Sequence, residues 1–554
     1  MSNWKFIGAL TSKPYAFTSR PWEINNTNSI DILDILGSNI RIDSYGSQIK
    51  RILPLKNDEV NREYISNRVR FFFDGLNRWR LITPILKNNN DFLFSSWDLV
   101  FPYMYLKFFI LKKSLKNLGF FFNNFTDINT LLFTKLVSDK NGYYLMNKNK
   151  PKLSNFYNFY INQNLLQNLK EKEIIIFVGT NLRLESPILN IHLRTKNLNS
   201  NTVFLNFGSK RWDNLNSLNL GNSTYDLISF FKGKHKFCTN FLKKFVKNSL
   251  IYKNWLDLSY ILVGSDVLNR TDSQGLFNII NYFYNNIKLN NQNIHFTKSF
   301  ITKTNNKLKE RLLPFNLNKT LINNNYVSVI YPSLNNLLFN DINIFSNTSS
   351  SEHLDVCYYL GHNNIQKQTN KLIIFQGHHT NYENLKFIDI LLPTLNFLEK
   401  RVSYINLEGR VQDTNIAVQN LSNSKSDWVI LNTFFIYLSE MLLINHNILK
   451  NSKLELNRYK DFLYSFQYVK RFLLRKNSIN LFWKELSKYS LYNYNVNSIL
   501  SLDSEVKTVS IIYYSIFSNY FISPYNLDII SSNSKWMINA ENLFKKNYTN
   551  FLKF

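Results

Sequence analysis

The positions of histidine, cysteine and glycine bound the chemistry open to this chain. His378 and His379 end an apolar run in LIIFQGHHTN (372–381), and His362 follows a similar run in VCYYLGHNN (356–364). A zinc site needs three or four ligands at defined spacing, and neighbouring side chains on a strand point to opposite faces. These histidines therefore read as structural or surface groups. HKFC (235–238) is half a metal clamp with no second half. The chain has two cysteines, Cys238 and Cys357, neither in a C-x-x-C pair. That excludes a four-thiolate site and a disulfide framework, and it fits a reducing compartment. No G-x-S-x-G, G-x-G-x-x-G or Walker pattern occurs. The Gly-Thr-Asn turn in FVGTNLRLESP (177–187) could hold a phosphate on backbone N–H groups, or it is simply the turn between a strand and a helix. The densest cluster is EKRVSYINLEGRVQ (399–412), with Glu399, Asn406, Glu408, Gly409, Arg410 and Gln412 around an alternating strand. Arg410 can hold a carboxylate with two bonds. The cluster is expected to be an ion-paired corner that pins a strand to a sheet, serving a cofactor or the fold. Nothing in the sequence sets two carboxylates in a shared cleft.

The elements that must position these groups fall into two styles. SNIRIDSYGSQIKRILP (38–54) alternates apolar and polar residues around Ser44-Tyr45-Gly46, which predicts a β-hairpin. Residues 57–81 read as a turn followed by short helical pieces with an aromatic core face, and Thr83-Pro84 ends this module. Beyond about residue 170 the pattern changes. EIIIFVGTN (173–181), YILVGSD (260–266), VCYYLGHNN, LIIFQGHHTN and FIDILLP (387–393) are short apolar runs ending in turns. Such runs, alternating with helical stretches, predict parallel strands covered on both faces, an α/β arrangement whose ligands bind at the strand carboxyl ends. The Asn- and Lys-rich stretches 110–170 and 285–325 read as helices with long polar loops.

Composition leaves several classes open. The 554 residues are 44% hydrophobic, enough for more than one domain with a sizeable core. Lys and Arg number 66 against 38 Asp and Glu, a net charge of +28. Such an excess suits nucleic acid, an anionic surface or an acidic partner. Scattered lysines and an abundance of Asn, Ile, Phe and Tyr also fit an A/T-rich genome, such as that of an organelle. Lys107 interrupts the apolar stretch 99–113, and Glu440 interrupts 428–444. Both read as buried helices, since a membrane span needs about 20 mostly apolar residues. No presequence is legible in the first residues.

Taken in order, these pieces resemble the large iron–sulfur subunit family of NADH–quinone oxidoreductase, respiratory complex I. GALTSKPYAFTSRPWE (8–23) resembles the stretch that follows the family's last ferredoxin-type cluster motif. SIDILDILGSNIRID (29–43), RILP (51–54), NREYISNRVRFFFDGLNRWRL (61–81), VGTNLRLESPILNIHLR (178–194), LVGSDVLNRTD (262–272), FQGHHTNYENLKFIDILLP (375–393), EKRVSYINLEGRVQDT (399–414) and YFISPYNLDIISSNSKWMINA (520–540) continue the series. The resemblance implies a degenerate molybdopterin oxidoreductase-like α/β fold, with parallel-sheet Rossmann-like subdomains and a small β-rich N-terminal module. It implies a docking strap over 1–20, the β-rich module over 21–86, the α/β domain over 87–465 and a helical extension over 466–554.

The departures shape the expected function. Lys5 stands where the family's final cluster ligand falls, and residues 21–85 hold no cysteine. The expectation is a split gene: a chain without cofactor or metal of its own, docked on a separate cluster-bearing chain through Trp4, Tyr15, Phe17, Pro21 and Trp22. Its implied role is a non-catalytic scaffold in the peripheral arm, on the matrix side of the mitochondrial inner membrane and mitochondrially encoded. A molybdopterin-dependent oxidoreductase and a basic organellar nucleic-acid-binding protein are the alternatives.

Overall fold

Three short strands open the described part of the chain. The computed structural model describes residues 12, 14–88, 91–110, 118–123, 125–141, 144–146, 165–200, 202–208, 215–232, 234–238, 259–268, 270, 272–273, 275–280, 327–329, 354–361, 365, 371–380, 385–419, 422–448 and 528–552. Strands β1 (Asn25–Ile30), β2 (Asn39–Tyr45) and β3 (Gln48–Pro54) form an antiparallel sheet. The expected hairpin is β2–β3, and it turns at Gly46, whose φ of +59° suits glycine. Ile40, Ile42 and Ile52 are buried in the module's core, as the alternation requires. Ser66 caps the short helix Asn67–Phe71 by accepting from the Val69 N–H, and a 3-10 turn, Phe72–Gly75, follows.

The chain's far end closes this module. A Cβ on Gly75 would sit 2.1 Å from the Ile530 carbonyl oxygen, so only glycine admits the helix Ile529–Asn533 here. Asp74 accepts from the Lys535 N–H (2.9 Å) and from Ser534 Oγ, at the start of the helix Lys535–Leu552. Ile530 and Met537 then join the same core as Phe72 and Ile40.

Two larger, parallel-rich sheets follow among the described residues. Residues 85–146 supply β4 (Ile85–Asn88), β5 (Asp91–Phe94), β6 (Leu118–Phe122) and β7 (Tyr144–Met146). Residues 174–329 supply β8 (Ile174–Val178), β9 (Val203–Phe207), β10 (Ser217–Gly221), β11 (Ser259–Val263) and β12 (Val327–Val329). Residues 356–393 supply β13 (Val356–Leu360), β14 (Leu372–Gly377) and β15 (Ile390–Pro393). The first and third groups interleave in one seven-stranded sheet, β5-β4-β15-β14-β13-β6-β7. The second forms a five-stranded sheet, β10-β9-β8-β11-β12, with every pair parallel. β13 and β14 are buried along their whole length, which explains their unbroken apolar runs.

The helical reading of 110–170 holds for Ile128–Asn141 and the helix that begins at Leu165, and it is corrected by β6, which pairs in parallel with β13 and β7 inside the large sheet. A five-residue apolar run such as Leu118–Phe122 carries no helical or strand period of its own, so only its pairing identifies it. Residues 285–325 lie outside the described residues. The two greasy stretches are helices, Trp97–Ile110 and Asp427–Ile448, and they pack aromatic on aromatic. The Phe434 ring lies 6.5 Å from Phe101 and 5.8 Å from Phe108, centroid to centroid. Among the described residues, no helix is long and apolar enough to cross a membrane.

Candidate functional site

The carboxyl ends of β6, β13, β14 and β15 meet around a cavity of about 60 Å³. Gly361, Gly377, His378, Thr394, Asn396, Lys400, Tyr404, Asp427 and Asp528 are among its lining residues. Its centre of charge is Lys400, whose Nζ donates to Asp127 Oδ1 (2.8 Å) and Asp427 Oδ2 (2.5 Å). Burial works against charge on all three groups. For Lys400 the two carboxylates win, holding its ammonium well above the ordinary amine range. Asp127 stays below the ordinary carboxylate range for the same reason, against its own burial. Asp427 is pushed up by burial and by the charge of Asp127, in spite of Lys400. Gln376 Nε2 donates to Asp427 Oδ1 (3.1 Å), and Tyr358 OH donates to Gln376 Oε1 (2.5 Å), so the network is anchored in β13 and β14. Asp427 and Asp528 both line this cavity, and no pattern in the sequence sets them together. Asp127 lies 273 residues from Lys400, a distance no local pattern bridges.

The histidine pair sits at the same strand end. His379 Nε2 lies 2.9 Å from the Leu76 carbonyl oxygen, and its Nδ1 lies 2.6 Å from His378 Nδ1. A carbonyl accepts only, so His379 carries its proton on Nε2 and takes the proton of His378 at Nδ1. Burial, then the positive charge of Arg80, holds His379 down to about 4. Burial, with His379 next, holds His378 well below the ordinary range. Both rings are neutral hydrogen-bonding groups of the interior, the structural role expected for them. His362 lies outside the described residues.

The corner at 399–412 divides into two contacts. Arg80 Nη1 donates to Glu399 Oε1 (2.5 Å) and Arg80 Nη2 to Glu399 Oε2, a bidentate pair with little exposure on either side. The rest is a hairpin, β16 (Ser403–Ile405) with β17 (Val411–Asp413). Asn406 Oδ1 accepts from the N–H groups of Glu408 (3.0 Å) and Arg410 (2.8 Å), while its Nδ2 donates to the Leu36 carbonyl (3.1 Å). Gly409 turns with φ +78°. Gln412 Nε2 donates to the Gly37 carbonyl (2.9 Å), and Glu408 Oε1 accepts from the Leu166 N–H (3.1 Å). Arg410 reaches Glu59 with one nitrogen (2.6 Å) and is itself partly exposed. Four of the six, Asn406, Glu408, Arg410 and Gln412, therefore hold the hairpin to the loop between β1 and β2 or to neighbouring segments, and Gly409 makes its turn. Glu399 instead closes the opposite end on Arg80.

A second buried node was not legible in the sequence. Asp31 and Asp34, in the loop between β1 and β2, are wholly buried beside Arg68. Arg68 spans two regions, Nη1 donating to the Leu33 carbonyl (3.0 Å) and Nη2 to the Leu184 carbonyl (3.1 Å). Asp31 Oδ2 has no hydrogen-bond partner among the described residues. Burial, with the charge of Asp34 second, pushes Asp31 up to about 8. Burial, opposed by Arg68, takes Asp34 to about 6.

The glycine turns of the smaller sheet are filled by the chain itself. A Cβ on Gly264 would meet the Gly179 carbonyl oxygen at 2.3 Å and Thr180 Cα at 2.4 Å. One on Gly208 would meet Gly179 Cα at 3.5 Å. The Asp266 N–H donates to the Gly179 carbonyl (3.3 Å), and Ser265 Oγ donates to Glu185 Oε1 (2.7 Å). These glycines let three strand ends approach one another. Of the expected strap, Tyr15 stacks under the Arg51 guanidinium at 4.4 Å, Phe17 takes φ +62° and is fully exposed, and Pro21 and Trp22 open a 3-10 turn. Trp4 lies outside the described residues. In HKFC, His235 Nε2 is tied to the Leu220 carbonyl (2.9 Å), and burial pushes the Cys238 thiol up.

Comparison with known proteins agrees with this architecture. Residues 80–435 match the molybdopterin oxidoreductase family. The chain is 30% identical to the NADH-ubiquinone oxidoreductase 75 kDa subunit of Reclinomonas americana, over 98% of this chain and 72% of that one. It is 29% identical to the 75 kDa subunit of Acanthamoeba castellanii, over 98% and 70% respectively. It is also 29% identical to the mitochondrial 78 kDa subunit of Candida albicans, over 79% of this chain and 56% of that one. Residues 24–74 match the NADH-ubiquinone oxidoreductase NDSU1/NuoG-like 4Fe-4S domain. That match overturns the expectation of a chain without a cofactor, because it points to an iron–sulfur cluster in this chain. The matched span holds no cysteine, so it offers no thiolate to the iron of such a cluster. Among the described residues, no three His, Cys, Asp or Glu side chains gather as a metal site. By the match over residues 80–435 and the identity over nearly its whole length, the chain belongs to the molybdopterin oxidoreductase family, among the 75 kDa subunits of NADH-ubiquinone oxidoreductase.

Proposed function

We propose that this chain is a mitochondrial subunit of respiratory complex I that serves the passage of electrons from NADH to ubiquinone as a structural body, without chemistry on its own side chains. The supporting observation is the carboxyl edge of the large sheet, where an α/β fold binds its ligand. Here Lys400, Asp127, Asp427, Arg80 and Glu399 are paired with one another. Groups that would bind and turn over a substrate instead hold strands and helices together.

In this reading the body stands on the matrix side, in the peripheral arm, and is encoded in the mitochondrion. Residues 1–20 form the strap toward a separate cluster-bearing partner, 21–86 the β-rich module, 87–465 the α/β domain and 466–554 a helical extension. Tyr15 and Phe17 of the strap, with Trp22 just beyond it, supply anchors of the kind that dominate interface energy. Native-gel electrophoresis with mass spectrometry of mitochondrial membranes tests the reading. The chain should migrate in one large assembly with the NADH-oxidising activity. Migration alone with bound molybdenum and pterin would favour an oxidoreductase instead, and migration with RNA, lost steeply with added salt, would favour a nucleic-acid-binding protein.

A further inference from the structure

Strand β5 is the outermost strand of the large sheet, and among the described residues its backbone pairs on one side only, with β4. Such an edge is a template for another strand, and proteins usually blunt it with Lys, Pro or a bulge. β5 reads Asp91-Phe92-Leu93-Phe94, pairs without a register shift and is exposed at all four residues, Phe94 at 78%. Side chains alternate along a strand, so Phe92 and Phe94 lie on one face and Leu93 on the other. Both faces beside the free edge are therefore apolar. The helix Trp97–Ile110 shares a core with Leu86, the residue opposite Leu93, and leaves Leu99 and Leu106 exposed. These two leucines are seven residues apart, on one side of the helix.

Two lysines say what kind of strand would fit. Lys87 lies opposite Phe92, its ammonium 6.0 Å from the ring centroid. Lys107 lies 5.3 Å from the ring of Tyr103, whose hydroxyl donates to the Lys87 carbonyl (3.1 Å). Lys87 Nζ donates to the Lys386 carbonyl oxygen (2.8 Å), and among the described residues neither ammonium is within ion-pair reach of a carboxylate.

We propose that β5 is the docking edge for one extended segment of a neighbouring subunit, an alternating apolar strand flanked by acidic residues, which adds to the sheet as an eighth strand. The free N–H and C=O groups select a strand over a helix, the apolar faces select its alternating side chains, and Lys87 and Lys107 select its flanking charge. The proposal rests on the assembly reading above.

A photo-crosslinking residue placed at position 93 or 94 of the full chain, in the purified assembly, tests it. The expected adduct is with one other subunit, at a segment that sequencing of the crosslinked peptide shows to be apolar, alternating and acid-flanked. Leu93→Lys and Phe94→Lys should cut retention of that subunit at least tenfold while leaving the chain's own melting temperature in place, because both side chains are exposed. An adduct with a second copy, with this chain itself, or with none while the chain sits in the assembly would overturn the docking edge alone. A chain found in no assembly would overturn the assembly reading with it.

Discussion

Single residues in this protein hold charge where water cannot reach it. Lys400 neutralises Asp127 and Asp427 inside the large sheet's carboxyl edge. Lys400→Met keeps the length of the stem and strands both carboxylates, and breaking a buried pair from one side costs about 3–5 kcal/mol. Chemical denaturation should show that loss, and adding Asp127→Asn and Asp427→Asn should restore part of it; an unchanged midpoint for Lys400→Met would refute the pairing. Asp31 and His379 predict two opposite pH limbs. Asp31, raised to about 8 from 3.8, favours the fold when protonated, so its contribution is complete below about pH 4 and lost as pH rises through 8. His379, lowered to about 4 from 6.5, favours the fold when neutral, so its contribution is complete above 6.5 and lost as pH falls through 4. Melting temperature followed from pH 4.5 to 9 should lose its alkaline fall in Asp31→Asn and its acid fall in His379→Gln. Parallel profiles for wild type and Asp31→Asn would count against the buried carboxyl.

Elements are joined through a few close approaches. Gly75→Ala would drive a Cβ to 2.1 Å from the Ile530 carbonyl oxygen, against backbone that cannot swing aside. Limited proteolysis should then cut within 528–552 much faster than in wild type, while the β2–β3 hairpin stays protected. Asn406→Ala strips the β16–β17 turn of two accepted hydrogen bonds and leaves the Leu36 carbonyl without its donor. At about 1–3 kcal/mol for each buried group left unpaired, the variant should lose about 3 kcal/mol in denaturation, and a loss within error would mean that the corner does not hold the hairpin. The hairpin at 38–54 was readable because alternation and Gly46 are local signals. β6 was not, because its five apolar residues become a strand only between β13 and β7.

At the scale of the whole molecule, the chain carries a net charge of +28, and Phe17 and Trp22 stand exposed beside Tyr15. Tyr15 is fixed by Arg51, so the strap has a rooted end from which Phe17 and Trp22 project. If the strap carries a partner, Tyr15→Ala with Phe17→Ala should weaken co-purification by about 2 kcal/mol or more, a hot-spot loss of roughly thirtyfold in affinity. Undiminished recovery of the partner would remove the strap from the interface.

The amino-acid sequence by itself determined the family, the hairpin and the parallel strands from β8 and β11 to β13–β15. It also marked the corner around Asn406 and Gly409, because turn chemistry and apolar runs act over a handful of residues. Only the tertiary structure decided what those strands surround. Lys400 meets Asp127 across 273 residues, Arg80 meets Glu399 across 319, and Gly75 meets Ile530 across nearly the whole chain. No local period encodes such pairs; they exist because sheet order brings distant strand ends together and burial then demands that each charge find its partner.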